Sequence, residues 1–165
     1  MKWTKLLQIL FVWCLGLCMF SCQSPQTMLT SPDGQLSLEF TLDEEGTPIY
    51  CLKRAGKDVL LPSRLGLVLK NAPSLVSGFA LVDVKCESHQ EVWKPVWGEE
   101  SEISNHYNEL KVFLKEKASL GRELNIVFRL FDDGIGFRYE FPRQEQLQNF
   151  LIDDEMTEFV FPADY

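Results

Sequence analysis

In QLSLEFTL, Leu36, Leu38, Phe40 and Leu42 alternate with Ser37, Glu39 and Thr41. Successive side chains of an extended strand point to opposite faces, so this spacing predicts a strand over 35–42 with one face buried. Turn chemistry brackets it, Ser31-Pro32-Asp33-Gly34 before and Asp43-Glu44-Glu45-Gly46 after. PIYCLKR continues the alternation, Ala55-Gly56-Lys57 reads as a turn, and DVLLP with SRLGLVLK brings the chain back, which predicts a second hairpin. NELKVFLKE and RELNIVFRLF predict two more strands, separated by residues 118–121. In the latter, Leu124, Ile126, Phe128 and Leu130 make an inward row, while Val127 and Phe131 take the other face. A strand apolar on both faces is expected to lie between layers. Asp132-Asp133-Gly134 predicts a tight turn into GIGFRYEFP, and only residues 144–149 offer a helical turn. With no long helical period and no repeat of fixed length, the pattern specifies an all-β protein, a sandwich of antiparallel sheets.

The first residues belong to a different category. Lys2 and Lys5 precede a 15-residue apolar run, Leu6 to Phe20. That is short for a membrane span and the right size for a secretory signal, expected over residues 1–21. The run ends in Met19-Phe20-Ser21-Cys22, a loose match to the bacterial lipoprotein cleavage box, in which Cys22 becomes the lipidated first residue. Residues 22–30 are then a tether, and the folded domain is expected from 31 to 165. The expected location is the periplasm or outer membrane, held by the lipid alone; simple secretion into the periplasm is the alternative.

Loss of Lys2 and Lys5 would take the net charge from −8 to about −10. An acidic chain is repelled by phosphate backbones, which argues against a nucleic-acid partner. Beyond the signal only Cys51 and Cys86 remain, too few for a disulfide framework, and no zinc-ligand spacing occurs. There is no glycine-rich phosphate loop and no nucleophile elbow.

One stretch departs from plain alternation. PVWGEESEISNHYNEL (95–110) puts Trp97, Gly98, Glu99 and Glu100 before an Asn105-His106-Tyr107-Asn108 cluster, and reads as a polar-aromatic loop. Trp97 offers a ring that could stack on a sugar, and Gly98 lets a backbone approach closely. The competing reading is a solvated loop. The doublets Glu44-Glu45 and Asp132-Asp133 belong to turns, because neighbouring strand residues face opposite ways and do not form a catalytic pair. A lone histidine such as His106 is more often a hydrogen-bonding residue than a base. Trp93 reads as a core anchor, and Arg138 points away from its apolar row. From pattern alone, no reaction follows.

Four blocks carry a resemblance. SPDGQLSLEFTLDEEGTPIYCLKRAGKDVLLPSRLGLVL, WKPVWGEESEISNHYNEL, FRLFDDGIGFRYEFP and FVFPADY resemble, in order and spacing, the N-terminal domain of glycoside hydrolase family 97. The resemblance implies an antiparallel β super-sandwich, similar to galactose mutarotase, followed in family members by a catalytic (β/α)8 barrel and a small C-terminal β domain. It implies an α-glycosidase acting on oligosaccharides, glucosidic or galactosidic, with a calcium ion at the active site. FVFPADY departs from the family's Pro-Gly-Asp-Tyr segment by carrying Ala163. The positions that bear the catalytic acids and the calcium ligands follow that segment, so none is carried over to this sequence. This sequence is therefore expected to be inactive alone, with an incompletely closed sandwich, exposed edges and an unfilled core face. Trp97, Glu99, Asn105, His106, Tyr107 and Asn108 are expected to face the barrel or line the sugar site. A free-standing carbohydrate-binding sandwich, with Trp97 and Tyr107 as stacking groups, is the alternative, and a structural lipoprotein subunit is a third.

Overall fold

The computed structural model describes residues 27–99, 101–118 and 120–163. The signal segment, Cys22 and Glu100 therefore lie outside the described residues.

Four strands form the first sheet: β1 (Met28–Thr30), β2 (Leu36–Leu42), β3 (Pro48–Arg54) and β4 (Lys57–Arg64), antiparallel in that order. β1 corrects the expected boundary. Met28–Thr30, read as tether, pair with Glu39–Ser37 and bury Leu29, so the sandwich begins three residues before position 31. Three residues are too short for a periodic signal. Between β3 and β4 the chain reverses over Ala55 (φ 47°) and Gly56 (φ 78°), with Arg54 opposite Lys57. Two left-handed residues match the twist of a two-residue hairpin, which Gly accepts without a Cβ penalty.

The second sheet runs β6 (Phe79–Trp93), β7 (Ile103–Glu116), β8 (Glu123–Leu130), β9 (Ile135–Glu140), again antiparallel in sequence order. A short pair, β5 (Leu67–Leu69) with β10 (Ile152–Glu155), completes the framework; SRLGLVLK is thus broken at Leu65-Gly66 instead of running as one strand. Glu145–Leu147 make a single 3-10 turn within the segment where a helical turn is expected.

The alternating rows meet face to face. Leu36, Leu38, Phe40, Tyr50 and Leu52 from the first sheet join Leu110, Val112, Leu114, Leu124, Ile126, Phe128 and Leu130 from the second in one core. Phe128 stands 6.0 Å from Phe40 and 5.9 Å from Tyr50, ring centroid to centroid, which ties the sheets together at their centre. At one end the Asp43–Gly46 turn docks on the start of β6, where Gly78 N donates to Glu45 O and Phe79 N to Gly46 O. At that same end Arg122, 1 % exposed, forks onto Glu116 and donates to the carbonyls of Pro73 and Ser74. After β10 the chain lies along β4, with Leu61 N donating to Val160 O and Val160 N to the Ser63 hydroxyl. Phe159 and Phe161 on that segment remain more than half exposed, 55 and 57 %.

Candidate functional site

β6 and β7 are longer than the strands they accompany. β8 pairs with β7 only from Asn108 to Lys115, so Ile103–Tyr107 and their β6 partners extend past it as a two-stranded ribbon. At about 3.4 Å per residue, five residues carry the ribbon about 17 Å beyond the end of β8. This corrects the loop reading of the residues before the strand predicted from 108: Asn105, His106 and Tyr107 belong to that strand with Asn108, and only the 94–102 connection is irregular. The ribbon explains why its strands escaped pattern reading. A segment with little core on either face has no reason to alternate apolar and polar residues.

The pleat divides the expected site residues among three places. Tyr107 lies on the outer face of the sheet, opposite His89 across the ladder, and is 6 % exposed. Its ring stacks on His89 (4.9 Å, 24°), meets Phe131 at 5.2 Å, and lies under the Arg129 guanidinium at 4.5 Å. Arg129 Nε in turn donates to Glu109 at 2.7 Å, which fixes the cation over the ring. His89 Nε2 lies 3.5 Å from Glu87 yet is buried without a hydrogen-bond partner. Asn105 also faces outward, donating to Glu91 at 2.7 Å. Asn108 sits on the opposite face, accepting from Ser88 and donating to Thr30 O at 2.8 Å, which fastens the ribbon to β1. His106 shares that second face, across from Gln90.

Trp97 and Glu99 lie at the tip. Trp97 is 90 % exposed, Val96 is 92 % exposed, and Trp93, expected in the core, is half exposed at the base of the tip. Water therefore meets Val96 and Trp97 in the connection and Val92 and Trp93 at the end of β6 that leads into it. Isolated exposed apolar residues are ordinary, but a contiguous group marks a contact surface.

The outer face continues as a charge lattice. Glu140 accepts from Lys111 and from Arg138, so Arg138 is paired, as well as pointing outward as expected. The hydrogen bond from Lys111 holds the Glu140 carboxyl below its ordinary range against the opposing effect of burial, and Arg138 adds to the lowering. Among the described residues no cluster of three His, Cys, Asp or Glu side chains is placed to hold a metal ion. Of the acids on this face, Glu91 accepts from Asn105 and Glu109 from Arg129. What the arrangement offers is stacking, hydrogen bonding and shape.

His89 and Arg129 are the members of this cluster that the sequence left unread, and Phe131 was placed on this face without its partner. Their partner is set by strand register, and β6 carries no periodic signal from which register could be inferred.

The described residues thus form an antiparallel sandwich with a projecting two-stranded ribbon. Residues 29–165 match the profile described as Glycosyl-hydrolase 97 N-terminal, and the chain belongs to that family as its N-terminal domain. It is 29% identical over 149 residues to a retaining alpha-galactosidase of Bacteroides thetaiotaomicron, a match covering 90% of this chain and 21% of that protein. Among solved structures it resembles a glycoside hydrolase family 97 enzyme of Pseudoalteromonas sp. strain K8 seen with panose, at 32% identity and a TM-score of 0.77, over 82% of this chain and 20% of that one. A beta-arabinopyranosidase is similar at 27% identity and a TM-score of 0.74, over 82% and 21% of the two chains. The chain spans about a fifth of the length of these relatives.

Proposed function

We propose that this chain serves as the N-terminal support domain of a secreted α-glycosidase, and that its β6–β7 ribbon is the part that meets the catalytic barrel at the mouth of the sugar site. The observation that carries this is the ribbon itself. It projects past the sandwich, exposes Trp97 and Val96 almost fully, and locks Tyr107 and Asn105 into fixed geometry behind them. A tip of this kind loses free energy in water and gains it against a partner surface, at about 25 cal/mol per Å² of apolar area covered. In this reading the hydrolytic acids and the calcium ligands come from other parts of the enzyme. The half-exposed Phe159 and Phe161 give further polypeptide a surface to pack on. Oligosaccharides cleaved at an α-glucosidic or α-galactosidic bond are the substrates, and lipidation at Cys22 would hold the enzyme at the periplasmic or outer-membrane surface. Mass spectrometry of the mature N-terminus checks that last point: a diacylated Cys22 supports it, an unmodified terminus removes it.

The test of the central reading is kinetic and uses a full-length family member carrying this domain. Trp97→Ala, Glu99→Ala and Asn105→Ala are made singly, and hydrolysis of an aryl α-glycoside is followed. Misplacing active-site loops costs up to about 100-fold in rate, so a fall in kcat/KM of about tenfold or more is expected for at least Trp97→Ala, with folding intact. Unchanged kinetics in all three folded variants would overturn the proposal. The exposed Trp97 ring also favours a second reading, a free-standing sugar-binding sandwich. Calorimetry of this chain with maltooligosaccharides separates the two, since heat abolished by Trp97→Ala supports the second reading.

A further inference from the structure

The segment from Phe141 to Leu151 leaves regular pairing and curls at one side of the sandwich. Its 3-10 turn drops Leu147 into the core, 8 % exposed, and encloses an open hollow of about 620 Å³. A second hollow of about 510 Å³ lies beside it, walled by Leu69, Asn71 and Ala72 and sharing Gln148, Asn149 and Phe150 with the first. Both volumes fall in the range of about 300–1,000 Å³ usual for small-molecule sites.

The curl is fixed at both ends. Gln144 accepts from Glu123 N at 2.8 Å and donates to Glu123 O at 2.8 Å, clamping the entry to β8. Lys70 N donates to Leu151 O at 2.9 Å and holds the exit against the end of β5. Between these anchors, Asn71, Gln148 and Asn149 are exposed side-chain amides that line the hollows. Each amide carries two donors and an acceptor on one planar group, a match for adjacent hydroxyls. Phe150 supplies an apolar ring held 4.7 Å from Phe141, so its position is set by packing. The charges in the curl, Arg143 and Glu145, are of opposite sign, and a chain of net charge −8 disfavours anions.

We propose that this curl binds a short neutral oligosaccharide, with Asn71, Gln148 and Asn149 as hydroxyl partners and the Phe150 ring beneath a sugar face. It shares no residue with the β6–β7 ribbon and does not depend on how that ribbon is used. The test is a backbone-amide NMR titration of the chain with maltotriose and, separately, melibiose, with glycerol as the control polyol. Saturable shifts confined to residues 71–72 and 141–151 are expected with at least one sugar and not with glycerol. The exposed triple variant Asn71→Ala, Gln148→Ala, Asn149→Ala should weaken that binding about tenfold or more, the equivalent of three modest hydrogen bonds lost in part. Silence with both sugars, equal shifts with glycerol, or unaltered affinity in the triple variant would overturn the assignment. Shifts confined to the Trp97 tip would favour the ribbon and remove the curl.

Discussion

Arg122 offers a sharp test of how the end of this sandwich is held. Its guanidinium and the Glu116 carboxylate are 1 and 8 % exposed, and their paired contacts at 2.6 and 2.7 Å form a two-pronged fork. The remaining donors reach Pro73 O at 2.8 Å and Ser74 O at 3.4 Å, so one side chain ties the β7–β8 connection to the 71–77 loop. Arg122→Ala would strand a carboxylate in a site that water hardly reaches and leave two carbonyls without donors. Removing one member of such a pair costs about 3–5 kcal/mol, because the other charge has lost its compensation. With a urea slope of about 2 kcal/mol per molar, this is a fall in midpoint of about 2 M. Replacing both charges, Arg122→Met with Glu116→Leu, removes the stranded charge and should recover at least half of the loss. Urea denaturation followed by circular dichroism on the wild type, both single variants and the double variant gives the coupling directly. A single variant costing under about 1 kcal/mol, or a double variant as unstable as the sum of the singles, would refute the account of Arg122 as a buried, charge-compensated tie.

Three further outcomes are expected. Gly46 holds φ +77°, and a Cβ there would lie 2.5 Å from Phe79 O, so Gly46→Ala should lose more than the about 1–2 kcal/mol of a left-handed residue alone, read as a drop in thermal midpoint. Burial, helped by the neighbouring Tyr139, pushes the Tyr50 hydroxyl up to about 12. Its unfolded counterpart ionises near 10, so the stabilising contribution is complete below pH 10 and declines as pH rises towards 12; an ultraviolet titration in which all tyrosines ionise together near 10 while the chain stays folded would contradict this. Glu140 has the opposite sign: its lowered carboxyl, bonded by Lys111 and then Arg138, adds stability above its unfolded value of 4.5 that is lost as pH falls through the folded one. Lys111→Met should raise the Glu140 titration seen by carboxyl NMR, and an unmoved titration would count against the pairing.

The buried rows of the two sheets make a firm base, and Arg129 of β8 holds Tyr107 and its stacking partner His89 where the two-stranded ribbon leaves that base. A contact surface works best when its side chains are already ordered, since less conformational entropy is then lost on association. In the proposed role, the Asn105–Glu91 and Asn108–Thr30 bonds would supply that order on the two faces of the ribbon.

Where one face of a strand is buried, the sequence states it plainly. Leu36, Leu38 and Phe40, and Leu124 through Leu130, alternate because water lies on one side and the opposing sheet on the other, so fold class and inward rows were legible. Val127, apolar on the other face of that strand, is fully buried as well. The β6–β7 ribbon was not, for the converse reason: with both faces largely open, HQEVW and ISNHY have no alternation to show. Trp93 looked like an anchor because tryptophan usually is one, and the ribbon's projection leaves it half exposed. By itself, then, the sequence determined the sandwich, its turns and its kinship with the glycoside hydrolase 97 N-terminal domain. Only the tertiary structure decided that His89 faces Tyr107, that Arg129 covers the Tyr107 ring, and that Gln144 and Lys70 bend the 141–151 segment into a curl. Local pattern reports whether a residue meets water or core, whereas partnership across strands depends on register, which the whole fold sets.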